Sequence, residues 1–150
     1  MDRIARLPAG ERSALFSETA ARMGTTPAVI EKDFWVTWVL DRLFRNPRLA
    51  RLLMFKGGTS LSKAYRLIER FSEDIDLILD WRELGGEDPQ AERSKAQQEK
   101  LNAAINEQAR AYIGGALLAQ VTAAVDGICV CAVERDDPHV INVCYPAAFP

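Results

Sequence analysis

The fold is decided by the stretch Phe55-Lys56-Gly57-Gly58-Thr59-Ser60-Leu61-Ser62-Lys63 and by Arg70-Phe71-Ser72-Glu73-Asp74-Ile75-Asp76-Leu77, which follows it. An apolar run over residues 52–55 predicts a buried strand that ends at two glycines. The helical period of the apolar residues after the glycines predicts a helix over residues 60–69. Residues 74–79 predict a second strand, with Ile75, Leu77 and Leu79 on one face and both aspartates on the other.

The glycine turn has the properties of a phosphate-binding loop. Gly57 and Gly58 have no side chain to block a close approach, and their N–H groups can turn towards phosphate oxygens. The helix that starts at Thr59 and Ser60 adds free N–H groups, the positive end of its dipole and two hydroxyl donors. The alternative is a turn that only makes a tight connection between strand and helix.

The two aspartates of the second strand are candidate metal ligands. Asp74 and Asp76 lie two residues apart, so their carboxylates project from one face, roughly 6.6 Å apart along the strand. This spacing suits Mg²⁺, or Mn²⁺ in its place, because Mg²⁺ takes a few carboxylates and keeps waters and substrate phosphates as its other ligands. The alternative is the solvated face of an edge strand. The combination of glycine turn and acidic strand favours the site.

Two lysines flank the glycine turn and can each reach a triphosphate. Lys63, one turn into the predicted helix, is the better candidate for catalysis than Lys56. The alternative for Lys63 is an ordinary solvated helix lysine. Arg70 either pairs with Asp74 or contacts phosphate.

The N-terminal third predicts a helical pair. The first helix covers residues 9–23, with Gly24 as a left-handed stop. The second begins after the cap Thr26-Pro27, extends to Asn46-Pro47 and has a wide apolar surface, so it is buried on more than one side. Its charged start, Glu31-Lys32-Asp33, is interpreted as an exposed face rather than a site.

The C-terminal half predicts a long helix and a hairpin. Asp88-Pro89 caps a polar helix that extends to Tyr112, and Gly114-Gly115 interrupts it. From Ile128 onward, apolar segments flank a turn at Asp136-Asp137. The predicted fold is therefore α+β: one domain over residues 1–150, with a helical pair (1–47) beside a β-sheet core with the long helix and the hairpin (52–150).

Net charge and hydropathy limit the classes of protein to which this chain can belong. The formal charge of -2, from 19 basic and 21 acidic residues, gives the whole chain no attraction to nucleic acid, so any such contact needs a local patch. No apolar stretch is long enough for a membrane helix, and no signal peptide is recognisable, so we expect a cytoplasmic protein.

The cysteines favour no disulfide framework, since there are three. In a hairpin turning at Asp136-Asp137, Cys129 is expected to face Cys144, so a bridge is conceivable but disfavoured in a reducing compartment. A zinc site of these thiols with His139 is disfavoured further, because Cys129 and Cys131 lack the usual Cys-x2-Cys spacing. Buried small side chains are the preferred interpretation.

The segments 55–63 and 70–77, with the preceding Glu31-Lys32-Asp33-Phe34-Trp35-Val36, resemble the signature of AbiEii/AbiGii-type nucleotidyltransferase toxins, in the DNA polymerase beta-like superfamily. The resemblance covers most of residues 27–80, and it implies that residues 1–150 form a nucleotidyltransferase-like domain with a mixed β-sheet flanked by helices. It implies the toxin of a toxin–antitoxin or abortive-infection (phage-defence) system that transfers a nucleotide from a nucleoside triphosphate to RNA, with tRNA as the target class. By this resemblance Gly58 and Ser60 fall at phosphate-binding positions, and Asp74 and Asp76 at the metal ligands.

The sequence departs from that family at one point. The family carries a third acidic residue on a later strand, in a segment resembling Lys-Ile-Glu-Phe-Gly, and no such segment occurs up to Pro150. The acids of the hairpin, Glu134, Asp136 and Asp137, lie near its turn and are not assigned that role. We therefore expect a domain truncated at its C-terminus. The alternative to an active enzyme is a catalytically incomplete remnant that binds a nucleotide or an antitoxin.

Overall fold

The computed structural model describes residues 1–56, 74–83 and 86–149. The first elements along these residues are the helices α1 (Asp2–Ala5), α2 (Ala9–Met23), α3 (Pro27–Arg45) and α4 (Pro47–Leu52), followed by strands β1 (Leu53–Lys56) and β2 (Asp76–Leu79). The later elements are helix α5 (Lys95–Tyr112), a π-helical segment (Ile113–Leu117), helix α6 (Leu118–Ala124) and strands β3 (Val130–Val133) and β4 (Ile141–Cys144). The α+β class predicted from the sequence is confirmed.

The bounds of the helical pair follow from local signals. Helix α2 ends at Gly24, whose φ of 66° is open to glycine without a steric cost. Helix α3 begins after Thr26, whose side chain accepts a hydrogen bond from the backbone N–H of Val29 at 3.4 Å. Eight residues of α3 are buried, and they do not form a single narrow stripe. Both helices and the wide burial of α3 are therefore confirmed.

Glu31 corrects the interpretation of the charged start of α3 as an exposed face. Its side chain is only 2% exposed, and its two carboxylate oxygens accept the backbone N–H groups of Ala148 at 2.7 Å and Phe149 at 3.0 Å. Arg12 of α2 is also buried and donates to the carbonyl of Pro146. These hydrogen bonds pair the Glu31 carboxylate and one terminal nitrogen of Arg12, and they fasten residues 146–149 to the helical pair. The Arg12 Nε has no partner among the described residues.

The strands form two antiparallel pairs. Leu53 pairs with Leu79 and Lys56 with Asp76 in the first, and Val130 pairs with Cys144 and Val133 with Ile141 in the second. The strand predicted over residues 52–55 is shifted by one residue, since Leu52 ends α4. It is also buried on one face only, because Met54, on the outer face, is 48% exposed. A single mixed sheet remains a prediction.

The long helix starts later than predicted. Asp88 makes a local turn instead, in which its carboxylate accepts the N–H of Gln90 at 2.8 Å. Helix α5 begins at Lys95, where Ser94 and Gln97 form a capping box. The predicted interruption at Gly114-Gly115 is confirmed, as a π-helical segment that joins α5 to α6 without a break in the helical path.

The hairpin is confirmed, but its predicted register is wrong. Cys144 lies opposite Val130, one residue away from the predicted partner Cys129. Because side chains alternate across a strand, this shift puts Cys129 on the buried side while Cys144 is exposed. All three cysteines are free thiols. The interpretation of all three as buried small side chains is correct only for Cys129, because Cys131 is half-buried and Cys144 is exposed.

One hydrophobic core joins the two hairpins to the helices. Trp35 and Trp38 of α3 are 1% and 0% exposed and meet edge to face, with ring centroids 5.5 Å apart. The inner residues of both strand pairs pack on this cluster; they include Leu77, Leu79, Ile141 and Val143. Within the described residues no helix is both long and apolar enough to cross a membrane.

Candidate functional site

Of the two aspartates predicted on the second strand over residues 74–79, only Asp76 lies within the strand. Asp76 is the first residue of β2, Asp74 lies two residues before it, and both are exposed. The intervening Ile75 and the inner residue Leu77 are half-buried and pack against the core. The apolar side of this segment therefore fixes it in place, while the acidic side remains accessible to ions and substrates.

The glycine turn lies outside the described residues. Gly57, Gly58, Thr59 and Ser60 belong to the segment 57–73, as does Lys63. Their predicted roles in binding phosphate and in catalysis, and the role of Arg70, remain predictions from the sequence.

Lys56 lies directly opposite Asp76 in the β1–β2 ladder. Directly opposite residues project from the same face with Cβ atoms about 4.5–5.5 Å apart. Lys56 and Asp76 are the charged residues of this ladder, and both are exposed. The sequence placed Lys56 beside the glycine turn, but its alignment with Asp76 depends on the strand register, which no local pattern contains.

A cleft of about 580 Å³ lies between β2 and β4. Its walls include consecutive residues of both segments, Asp74–Leu77 on one side and 139–143 on the other. One face of a strand would supply only every second residue, so the cleft follows the strand edges that pair with no other described strand. Trp35 also lines it, and the buried indole N–H of Trp35 has no hydrogen-bond partner among the described residues.

The wall opposite the aspartates carries His139 and Asn142. The Asn142 amide donates to the Glu134 carboxylate and holds the pKa of Glu134 below its usual value. The backbone N–H of His139 donates to Asp137 at 2.9 Å and lowers the pKa of that carboxyl. Two of the hairpin acids are thus engaged inside their own turn. The sequence did not point to His139 and Asn142 as neighbours of this cleft, because a contact between two hairpins leaves no local signal.

Asp74 and Asp76 fit a magnesium ion in part. Two exposed carboxylates on one face can supply two oxygen ligands, and Mg²⁺ readily completes its octahedral shell with waters and phosphate oxygens. In the part of the chain that the structure describes, no group of three or more His, Cys, Asp or Glu side chains could hold a metal ion. The pair therefore suits an ion that arrives with its substrate better than a fully protein-bound structural metal.

Comparisons with known proteins agree with the resemblance. The model of the nucleotidyl transferase AbiEii toxin family, of type IV toxin–antitoxin systems, matches residues 38–150, about three quarters of the chain. The match includes β1, both aspartates and the C-terminal hairpin. No curated protein and no solved structure matches the chain.

Proposed function

The chain belongs to the AbiEii nucleotidyl transferase toxin family of type IV toxin–antitoxin systems, and from this premise we propose that it transfers a nucleotide from a nucleoside triphosphate to RNA with the help of Mg²⁺. The observation that carries the proposal is the exposed pair Asp74 and Asp76, held on one side of a segment whose other side packs into the core. The acceptor we propose is tRNA, in the cytoplasm, where both substrates are present. Restriction of phage growth by such a toxin is part of the same proposal.

The chemistry needs little from the protein beyond charge and position. The oxygen of an RNA hydroxyl forms a bond to the α-phosphorus, the bond from that phosphorus to the bridging oxygen of the β-phosphate breaks, and pyrophosphate leaves. The hydroxyl proton passes to solvent. Asp74 and Asp76 would hold Mg²⁺, which supplies charge neutralisation at the phosphates when bound. Gly57 to Ser60 and Lys63 would contact the triphosphate.

We further propose that an extended segment completes the sheet between β2 and β4. The edges of β2 and β4 that pair with no other described strand lie on opposite sides of the cleft, which core residues including Trp35 also line. An extended segment placed there would pair with both edges and offer a carbonyl to the Trp35 N–H, which has no partner in the described part of the chain. It would join the two hairpins into the mixed sheet that the resemblance implies, and an acidic residue on its outer face would lie beside Asp74 and Asp76.

The second candidate is a protein that binds nucleotide but does not transfer it. The described residues supply two carboxylates and no third ligand beside them, which favours this candidate. As a toxin of a toxin–antitoxin system, the chain implies an antitoxin counterpart under either candidate.

The test is incubation of the chain with each labelled nucleoside triphosphate, Mg²⁺ and total tRNA, in parallel with Asp76→Ala. The matched control is Asp136→Ala, which removes an exposed aspartate from the other hairpin. Label on tRNA with the intact chain and Asp136→Ala, and none with Asp76→Ala, supports transfer. Label that persists in Asp76→Ala sinks the assigned site. Absence of label with intact chain that still binds a triphosphate favours the second candidate.

A further inference from the structure

Lys56 shares the outer face of the β1–β2 ladder with Asp76, one of the two proposed metal ligands. It is directly opposite Asp76, and Met54 and Ile78 complete the same face at 48% and 41% exposure. A lysine carries its ammonium on a flexible four-carbon stem, long enough to reach past an adjacent side chain across the ladder. The Lys56 ammonium can therefore reach whatever binds to Asp76.

A structural ion pair does not account for Lys56. No carboxylate among the described residues forms an ion pair with it, and this includes Asp76 directly opposite. An exposed cross-strand pair would in any case add little to stability. The lysine is accordingly available to a ligand on this face.

The charges of the face indicate which ligand it suits. One Mg²⁺ held by Asp74 and Asp76 would offset their two negative charges, and Lys56 would add a positive charge beside them. A triphosphate bound to Mg²⁺ still carries net negative charge, which that ammonium attracts. We propose that Lys56 is a phosphate-binding residue of the transfer site, placed by the strand register beside Asp76; this inference rests on the proposed function.

Lys56 acts on the phosphates that leave. When the bond between the α-phosphorus and the bridging oxygen breaks, the electron pair and its negative charge go to pyrophosphate. The Lys56 ammonium donates hydrogen bonds to non-bridging phosphate oxygens and offsets that charge, without giving up its proton. This contact does not depend on the base, so any nucleoside triphosphate benefits equally.

The experiment uses inorganic tripolyphosphate with Mg²⁺ as the probe, and measures its dissociation constant by calorimetry for the intact chain and three variants. Lys56→Met removes the charge and keeps much of the length, Lys56→Arg keeps the charge, and Lys100→Met removes an exposed lysine of α5. In parallel, electron paramagnetic resonance of free Mn²⁺ measures metal affinity without phosphate. Thermal unfolding verifies that each variant folds.

Lys56→Met is expected to weaken tripolyphosphate binding by about tenfold or more, as the loss of a charged hydrogen bond implies. Lys56→Arg is expected within about threefold of the intact chain, and Lys100→Met to bind as the intact chain does. Mn²⁺ affinity is expected to stay equal or to rise in Lys56→Met, because a repelling charge has gone; a merely structural role would not separate the two affinities.

If Lys56→Met and the intact chain bind tripolyphosphate equally, the assignment of Lys56 is overturned. The proposed function is not affected by that outcome. Parallel loss of tripolyphosphate and Mn²⁺ binding in that variant also overturns the assignment, because the lysine then only supports the fold of the face. If the intact chain binds neither tripolyphosphate nor Mn²⁺, the proposed function fails and the assignment fails with it.

Discussion

The two hairpins have the same construction and opposite outer faces. Each is an antiparallel ladder of four residue pairs, and each packs its inner face on the core around Trp35 and Trp38. The outer face of the first ladder consists of Met54, Lys56, Asp76 and Ile78, and that of the second of Val130, Ala132, Asn142 and Cys144. Packing constrains only the inner faces. Packing therefore does not determine whether an outer face carries charges, and the charges on the first outer face are the ones to which the proposed function assigns a role.

The largest expected effect on nucleotide transfer comes from a substitution that makes the two outer faces alike. Asp76→Asn gives β2 the side chain that Asn142 supplies on β4. Loss of a carboxylate ligand is expected to lower nucleotide transfer by on the order of a thousandfold and to weaken Mn²⁺ binding, because an amide oxygen is neutral. Label incorporation into tRNA and Mn²⁺ titration measure the two effects. Asp136→Asn is the control, and an equal loss in both variants would remove the contrast between the hairpins.

Thiol chemistry distinguishes the inner and outer sides of the second hairpin. Burial, with the neighbouring Cys131 as a lesser cause, raises the pKa of Cys129 from 9.0 to about 11, so at pH 8 its thiolate is roughly a hundredfold scarcer than that of an ordinary thiol. We expect iodoacetamide to label exposed Cys144 first and Cys129 at least about a hundredfold more slowly, as peptide mass spectrometry can follow. All three should react alike in denaturant. Equal rates in the folded chain would contradict the register described above.

Glu31→Gln is expected to loosen the second hairpin and leave the first unchanged. The two carboxylate oxygens accept the N–H groups of Ala148 and Phe149, just beyond β4, and an amide replaces one of these oxygens by an NH2 group that cannot accept. The free energy of unfolding should fall by about 1–3 kcal/mol in denaturant titrations. Hydrogen exchange should accelerate at residues 148–149 before it does in β2. Glu18→Gln, at an exposed i,i+4 pair with Arg22, should change the free energy of unfolding by less than about 0.5 kcal/mol.

The smallest expected effect is a dependence on acid confined to the second hairpin. The hydrogen bond from Asn142 lowers the pKa of Glu134 from 4.5 in the folded state, so this contribution to stability is present above pH 4.5 and is lost as the pH falls through the folded pKa. Amide exchange in β3 and β4 should therefore accelerate below about pH 4 relative to the intrinsic rates. Glu134→Gln should reduce this dependence to the part that the lowered pKa of Asp137 supplies. An unchanged pH dependence in that variant would assign it to another group.

Sequence reasoning succeeded where the cause was local. Gly24 and Thr26 end and begin helices through their own backbone or side chain, and the alternation around Asp74 and Asp76 separates an acidic side from an apolar one. It failed where two local signals compete: Asp88 and Ser94 are both good caps, and only Ser94 has Gln97 three residues later to complete the capping box.

It failed also where the cause is distant. Glu31 lies in a charged triplet that is typical of an exposed face, and only partners 117 and 118 residues away make its burial favourable. Cys129 was placed opposite Cys144 because the turn sequence does not determine its length to one residue. The neighbours of the candidate site, Lys56 in the ladder and His139 across the cleft, depend on the same kind of long-range register.

The hydrogen bonds of Glu31 can form only late in the synthesis of the chain. A ribosome adds about 5–20 residues per second, so the 117 residues that separate Glu31 from Ala148 take about 6 to 23 s to make. Throughout that interval the nascent helical pair carries a carboxylate whose eventual backbone partners do not yet exist. Because a buried carboxylate without partners is costly, we expect Glu31 to become buried only when residues 148–149 are available. The final closure of this fold is then a late event in synthesis.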